Sequence, residues 1–253
     1  ANLVTSGTHQ LQMIASQTHG ATSIGTRSNH NLNLCANDST KMTITSGGQI
    51  GINQTNPARA LTVNALGTGT SSRLVRLATQ DNSTRFDFSF ENTDFLTIQN
   101  GINDSAILKL HKSGYVTKPA TPTFSAIGSG DAISAQSPLP YDSMEYNNGN
   151  HYNNSTHKFT CPVTGYYYVT CHVVPTNFST PNNVELYIKD QSGNRYFLDR
   201  KVKSNNYSTN NFSVGGSRIL YKSAGNTLWV EFNSINGSPT LESSSHFGIT
   251  LMA

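Results

Sequence analysis

The sequence predicts an all-β chain, and three observations carry that prediction. Polar and large apolar residues alternate over many short runs, among them Arg85-Phe-Asp-Phe-Ser-Phe90 and Tyr166–Val173. That alternation is the two-residue period of a half-buried strand. The excess in composition lies in Asn, Ser, Thr and Gly, which favour turns and short strands over helices. No segment sustains a helical period, and none approaches the ~20 apolar residues of a membrane-spanning helix.

Residues 1–63 read as β repeats. His9-Gln-Leu-Gln-Met-Ile-Ala15 aligns with His30-Asn-Leu-Asn-Leu-Cys-Ala36. Each copy alternates polar with large apolar residues. A longer relation joins Asn37-Asp-Ser-Thr-Lys-Met-Thr-Ile44, with Gly48 and Ile50, to Asn103-Asp-Ser-Ala-Ile-Leu-Lys-Leu110, with Gly114 and Val116. Each such unit is strand, turn, strand, and alone it buries one narrow face. Units of this kind need neighbours, along the chain or across an oligomer axis. Residues 64–118 form a second small β domain, entered through the loop Asn64–Ser72. In it Phe86, Phe88 and Phe90 share one face and are expected to pack inward, in a small sandwich or prism. Lys118-Pro-Ala-Thr-Pro122 is stiff and extended, which sets the boundary of a third domain, 119–253.

In that third domain, strand parity sets Phe159, Tyr167, Val169 and Phe247 as core residues. Lys158–Thr170 reads as strand, tight turn at Pro162–Gly165, strand. Further strands are expected at Val184–Lys189, Arg195–Val202, Phe212–Tyr221, Leu228–Phe232 and Phe247–Met252. Even spacing with Asn-rich turns fits a jelly roll. Two cysteines, Cys161 and Cys171, fall on opposite arms of the expected hairpin, on the order of 16 Å apart at about 3.3 Å per residue. That is too far for a disulfide, so both are expected as buried free thiols.

Two resemblances add to this reading. Ile24-Gly-Thr26, His30, Lys41-Met-Thr-Ile44 and Gly48-Gln-Ile-Gly-Ile-Asn-Gln-Thr-Asn-Pro57 resemble a module of bacteriophage and large-virus fibre proteins. Asn53 replaces a glycine of that module, and Asn tolerates positive φ better than most residues. This resemblance implies a trimeric β-rich shaft. Phe159-Thr-Cys-Pro-Val-Thr-Gly-Tyr-Tyr-Tyr-Val-Thr170 resembles the signature of the complement component 1q globular head, a relative of tumour necrosis factor. Val169 stands where that family has Phe. The likeness spans roughly residues 120–253 and implies a jelly-roll head that closes three-fold.

No catalytic constellation stands out. The eight histidines are scattered, without His-x-x-x-His or Cys-x-x-Cys, and carboxylates are few. The reading is a non-enzyme with no cofactor and no metal. The formal net charge is +3 with no Lys/Arg cluster, so no nucleic-acid partner and no membrane insertion are expected. No secretory signal pattern opens the chain. Ala1 falls inside an already patterned segment, as in a piece of something longer. His9 and His30, at equivalent repeat positions, are expected at a trimer interface. So is Trp229, which shares a face with Glu231 opposite Leu228, Val230 and Phe232; a ligand platform is its alternative. The ligand is expected at the head loops, through Asn148, Asn150, Tyr152, Asn177, Asn205, Asn206 and Tyr207. Asn pairs donor with acceptor and Tyr joins an apolar face to a polar tip, which suits a glycan.

Together these features suggest a homotrimeric viral fibre on the virion surface. Its N-terminal end would meet other virion proteins, and its head a host-cell receptor. The alternative is a secreted lectin or immune ligand of the complement-head family. A fibre-borne glycan hydrolase ranks behind both.

Overall fold

The computed structural model describes residues 2–6, 8–16, 21–64, 72–91, 94–178, 183–202 and 212–252. The chain folds as two units, Ala1–Pro119 and Ala120–Ala253.

The first unit holds three sheets. β1 (Asn2–Ser6), β2 (His9–Ser16) and β3 (Ala21–Thr26) pair antiparallel in chain order. β4 (Leu32–Ala36), β5 (Ser39–Ile44), β6 (Ile50–Ile52) and β7 (Leu61–Val63) form the second, in which β6 and β7 run parallel. β8 (Ser72–Ala78), β9 (Arg85–Glu91), β10 (Phe95–Asn100), β11 (Ala106–His111) and β12 (Val116–Thr117) form the third.

The sequence repeat is a structural repeat. The turn into β5 uses positive φ at Asn37 and Asp38, 49° and 51°, and the turn into β11 uses Asp104 at 57°. The next turns match as well: Gly48 N–H donates to Thr45 O, and Gly114 N–H donates to His111 O, both at 2.9 Å. Asn53 has φ 54°, the conformation its substitution for glycine requires.

The third sheet corrects an expectation. Asp87, Ser89, Thr97 and Gln99 are the buried residues. Asp87 accepts from Arg76 at 2.7 and 2.8 Å and pairs with Arg73 at 3.0 Å. Ser89 Oγ donates to Gln99 at 2.8 Å. The apolar face is the open one: Phe86 and Phe90 are each 44% exposed, Leu77 57% and Val116 58%. Alternation fixes which residues share a face but not which face is covered.

The second unit is a sandwich of two five-stranded sheets. β13 (Thr123–Ile127), β14 (Ser143–Asn148), β17 (Gly165–Val173), β21 (Val214–Lys222) and β24 (His246–Met252) make one, in the order β14-β13-β24-β17-β21. β15 (Tyr152–Asn153), β16 (Lys158–Thr160), β19 (Asn183–Asp190), β20 (Arg195–Val202) and β22 (Thr227–Phe232) make the other, in the order β15-β16-β22-β19-β20. A two-stranded ribbon, β18 (Pro175–Phe178) with β23 (Gly237–Leu241), completes the jelly roll.

Phe159, Tyr167, Val169 and Phe247 are fully buried. Phe124 gathers the aromatic core, with Tyr152 at 4.4 Å, Phe247 at 5.0 Å and Phe159 at 5.3 Å between ring centroids. Offset and edge-on pairs of this kind add to the burial itself.

The expected hairpin over Lys158–Thr170 is instead a crossing between sheets. β16 pairs with β15 and β22, while β17 pairs with β21 and β24. Pro162 ends a strand equally well whichever sheet follows. The crossing is pinned by Tyr167, whose hydroxyl donates to Val163 O at 2.5 Å. Cys161 and Cys171 are buried free thiols, and burial pushes Cys161 up to about 11.

One ion pair ties the sheets at an edge. Lys222 Nζ, at the end of β21, donates to Asp190 Oδ2 at 2.7 Å and to Tyr196 Oη at 2.5 Å. Asp190 also accepts from Tyr196 and Asn194 Nδ2, each at 3.0 Å. Both charged side chains are 5–6% exposed. Burial pushes the Asp190 carboxyl up, but bonds from Lys222, Asn194 and Tyr196 outweigh it and hold the pKa at about 2. A carboxyl depressed on folding contributes stability above its unfolded value near 4 and loses it as pH falls through the folded one.

At pH 7, Lys222→Met should cost about 3–5 kcal/mol, because a buried carboxylate is left unpaired. Asp190 should contribute about 2 kcal/mol that disappears between roughly pH 4 and pH 2. Denaturant unfolding of the wild type and of Lys222→Met at pH 7 checks the first, and of the wild type and Asp190→Asn across that window the second. An Asp190→Asn variant with the same acid slope as the wild type would contradict the second.

Candidate binding faces of the head

Period two gives β17 two faces. Odd residues enter the core, and even residues point out of the sandwich with those of β21 and β24. Tyr166 stands opposite Tyr221 and Met252, and Tyr168 opposite Ile219 and Thr250. Tyr166, Tyr221, Ile219 and Met252 are each exposed by 46–61%. The rings of Tyr166 and Tyr221 touch at 5.1 Å. The result is a continuous apolar and phenolic stripe across three strands, and aromatic surface of that kind marks an interface. Further along the same face His172 stands opposite His246, with ring centroids 5.8 Å apart. Burial, then the neighbouring His172, pulls the His246 imidazole below its ordinary value.

The outer face of the other sheet is covered by its own charges. Leu228, Val230 and Phe232 are in the core, which sends Trp229 and Glu231 outward. Yet Trp229 is only 7% exposed and Glu231 is fully buried. Lys158 Nζ lies 4.3 Å from the centre of the Trp229 ring, and Lys189 Nζ lies 5.8 Å away. Trp229 Nε1 donates to Glu231 at 3.2 Å. Arg195 and Lys189 pair with Glu231 at 3.0 and 3.3 Å. The expectation of an outward platform or interface residue at Trp229 is therefore corrected: its own chain covers it. The lid, Lys158, Lys189 and Arg195, comes from three strands and carries no signal in the sequence, because no two of the three are neighbours in the chain.

Other expected site residues take separate places. Tyr152 is 4% exposed and its hydroxyl donates to Tyr141 O at 3.1 Å. It is a core residue, because β15 turns it under Phe124. Asn148 Nδ2 donates to Thr121 O at 2.7 Å. Asn150 is an exposed turn residue with φ 56°. Asn177 is exposed with φ 53°, at the irregularity where β18 pairs with β23. Asn205, Asn206 and Tyr207 lie outside the described residues. His9 and His30 touch each other within one chain, ring centroids 3.9 Å apart, so they do not occupy two independent, equivalent positions. Among the described residues no three His, Cys, Asp or Glu side chains gather as a metal-holding group. Among them, too, no helix is long and apolar enough to cross a membrane.

Two five-stranded sheets in jelly-roll order make this unit a jelly-roll head, and residues 123–250 match the C1q domain family. The chain belongs to that family. It is 32% identical over 98 residues to human complement C1q and tumor necrosis factor-related protein 9B, covering 39% of this chain and 27% of the relative. To a bovine complement C1q subcomponent it is 28% identical over 126 residues, covering 49% and 48%. The alignments thus span half or less of each relative's length. Among solved structures it is similar to the globular domain of zebrafish complement 1qA protein, with TM-score 0.43 and 18% identity, covering 53% of this chain and 98% of that one.

Trp229 is the single tryptophan, so its emission reports on the lid directly. Native emission should be blue-shifted and weakly quenched by acrylamide. Lys158→Ala should raise quenching several-fold while circular dichroism stays unchanged, since cation–π contacts are worth about 0.5–2 kcal/mol. Strong quenching in the wild type would contradict the covered site.

Proposed function

We propose that this chain is an extracellular, non-enzymatic binding protein that works as a homotrimer and recognises a surface-displayed ligand through its C1q head. The observation that carries the reading is the open tyrosine stripe on β17, β21 and β24, within a head of known family. An aromatic face of this size favours a protein partner, and self-association is the simplest source of one. The first unit supports the same assembly. The open apolar face of its third sheet, with Phe86, Phe90, Leu77 and Val116 exposed, is covered when copies associate. The named complement relatives favour a secreted ligand or lectin of the complement-head kind.

One observation favours a second setting. The duplicated turn geometry at Asn37–Gly48 and Asp104–Gly114 supports a repeat-built shaft, as in a virion fibre that carries the same head to a host receptor. Recovery of the native chain as free protein, or on purified particles with other virion proteins at its N-terminal end, separates the two settings.

Sedimentation should find a trimer at micromolar concentration. Tyr166→Asp with Tyr221→Asp should give a folded monomer, because two carboxylates on the stripe must be buried to close the assembly. A monomeric wild type would sink the proposal of trimerisation.

Recognition is assigned to the head loops, and a glycan is the first ligand to test. On a glycan array and on host-type cells, Asn205→Ala with Tyr207→Ala should lower attachment by tenfold or more while the trimer persists. Undiminished attachment by that variant would move recognition elsewhere.

A further inference from the structure

His172 and His246 stand directly opposite on neighbouring antiparallel strands, and both project from the outward face that carries the tyrosine stripe. Their rings are nearly parallel, 23° between planes, with centroids 5.8 Å apart. Two imidazoles on one tetrahedral zinc ion, with Zn–N of about 2.0–2.1 Å, hold their ring centres about 5 Å apart. The observed pair is within about 1 Å of that spacing, which a small turn about χ1 supplies, while χ2 aims the ring nitrogens.

Two features prepare the site. His172 Nδ1–H donates to the Ser244 carbonyl at 3.4 Å, which leaves Nε2 with its lone pair free. A backbone carbonyl on the second ring nitrogen is the usual way a metal-ligating histidine is oriented. On the other flank His172 faces Gly215, where an added Cβ would lie 3.3 Å from His172 Cδ2. Glycine there gives the ring its room. Beside it a cavity of 390 Å³, lined by Thr170, His172, Asp199 and Gly215–Ser217, opens a path for an ion.

Within one described chain no third His, Cys, Asp or Glu side chain completes a metal-holding group, so the pair alone is an incomplete ligand set. We propose that His172 and His246 form one protomer's contribution to a divalent transition-metal site, completed by the same histidines of the other copies of the trimer packed on the tyrosine face. The inference rests on the self-association reading above. Around a closed rotation axis, residues near the axis meet their own copies, and neutral imidazole suits zinc, nickel or copper over calcium or magnesium. The metal acts as a clip across the interface and takes part in no reaction.

The test uses the untagged full chain, stripped with EDTA and titrated with zinc chloride at pH 7.5. Equilibrium dialysis should find zinc bound with micromolar Kd, and the melting temperature should rise with it, as binding to the folded state requires. His172→Gln with His246→Gln should weaken binding at least tenfold. The pair in the first unit is the control, since His9→Gln with His30→Gln should keep this binding. Zinc uptake equal in the wild type and the His172/His246 variant overturns the site. Sedimentation in EDTA and in zinc separates this failure from that of the reading beneath it. A trimer in both that binds no zinc overturns only the metal clip, and a monomer in both overturns self-association and the shared site together. A monomer in EDTA that becomes a trimer in zinc supports both.

Discussion

The parity of β17 is the constraint on which the rest of the head depends. It is bonded on both sides, to β21 and β24, so its nine residues cannot slip by one without exchanging faces. Tyr167, Val169, Cys171 and Val173 then belong to the core. Tyr166, Tyr168, Thr170 and His172 belong to the outside. The core positions lock the strand, and the lock is what presents the outward row in register with Tyr221, Ile219, His246 and Met252. A core built on β17 therefore positions an outward aromatic face without any residue serving both.

Much of this was legible because it is local. The faces of β17 and β22 follow from alternation, and the paired turns at Asn37–Asp38 and Asp104 follow from residues that tolerate positive φ. Asn53 replaces a glycine of the fibre-type pattern and still adopts φ 54°. What could not be read is non-local. Pro162–Gly165 carries the same turn chemistry whether the next strand returns beside the last or crosses to the facing sheet, so the crossing looked like a hairpin. Trp229 looked exposed because the residue that covers it, Lys158, lies on another strand far back in the chain. The asparagines of the expected ligand loops are the residues any tight turn uses. Asn147 shows this, for its side chain both donates to and accepts from the Tyr152 backbone, at 2.8 and 3.1 Å.

The first unit shows the same limit in reverse. In β9, Phe86, Phe88 and Phe90 share a face as alternation requires, yet Asp87 and Ser89 are the residues removed from water. Asp87 is tolerated there because two guanidinium groups meet it, and the bond from Arg76 leads in holding its carboxyl below the usual range. A carboxylate buried without such partners would cost several kcal/mol. The polar side of this sheet is thus self-sufficient and the apolar side is not. Its polar groups are satisfied internally, while Phe86 and Phe90 stay open. The head repeats that arrangement, closing the outer sheet with Lys158, Lys189 and Arg195 and leaving the tyrosine sheet open.

An open aromatic face is useful only if the sheet beneath it holds its shape, and here the edge matters. β21 ends one sheet and β20 ends the other, so the stripe runs out to an edge strand with a free side. Edge strands are where sheets fray and pair with wrong partners. Lys222 lies on β21 in the same strand as Ile219 and Tyr221, and its bonds to Asp190 and Tyr196 reach the facing sheet. An apolar pair of similar volume would hold the two sheets with equal or greater stability. It would also slide, because apolar contacts have no preferred direction. A short charged bond inside a ring of four donors and acceptors does not slide, so the end of β21 is fixed against the facing sheet beside the outward tyrosines.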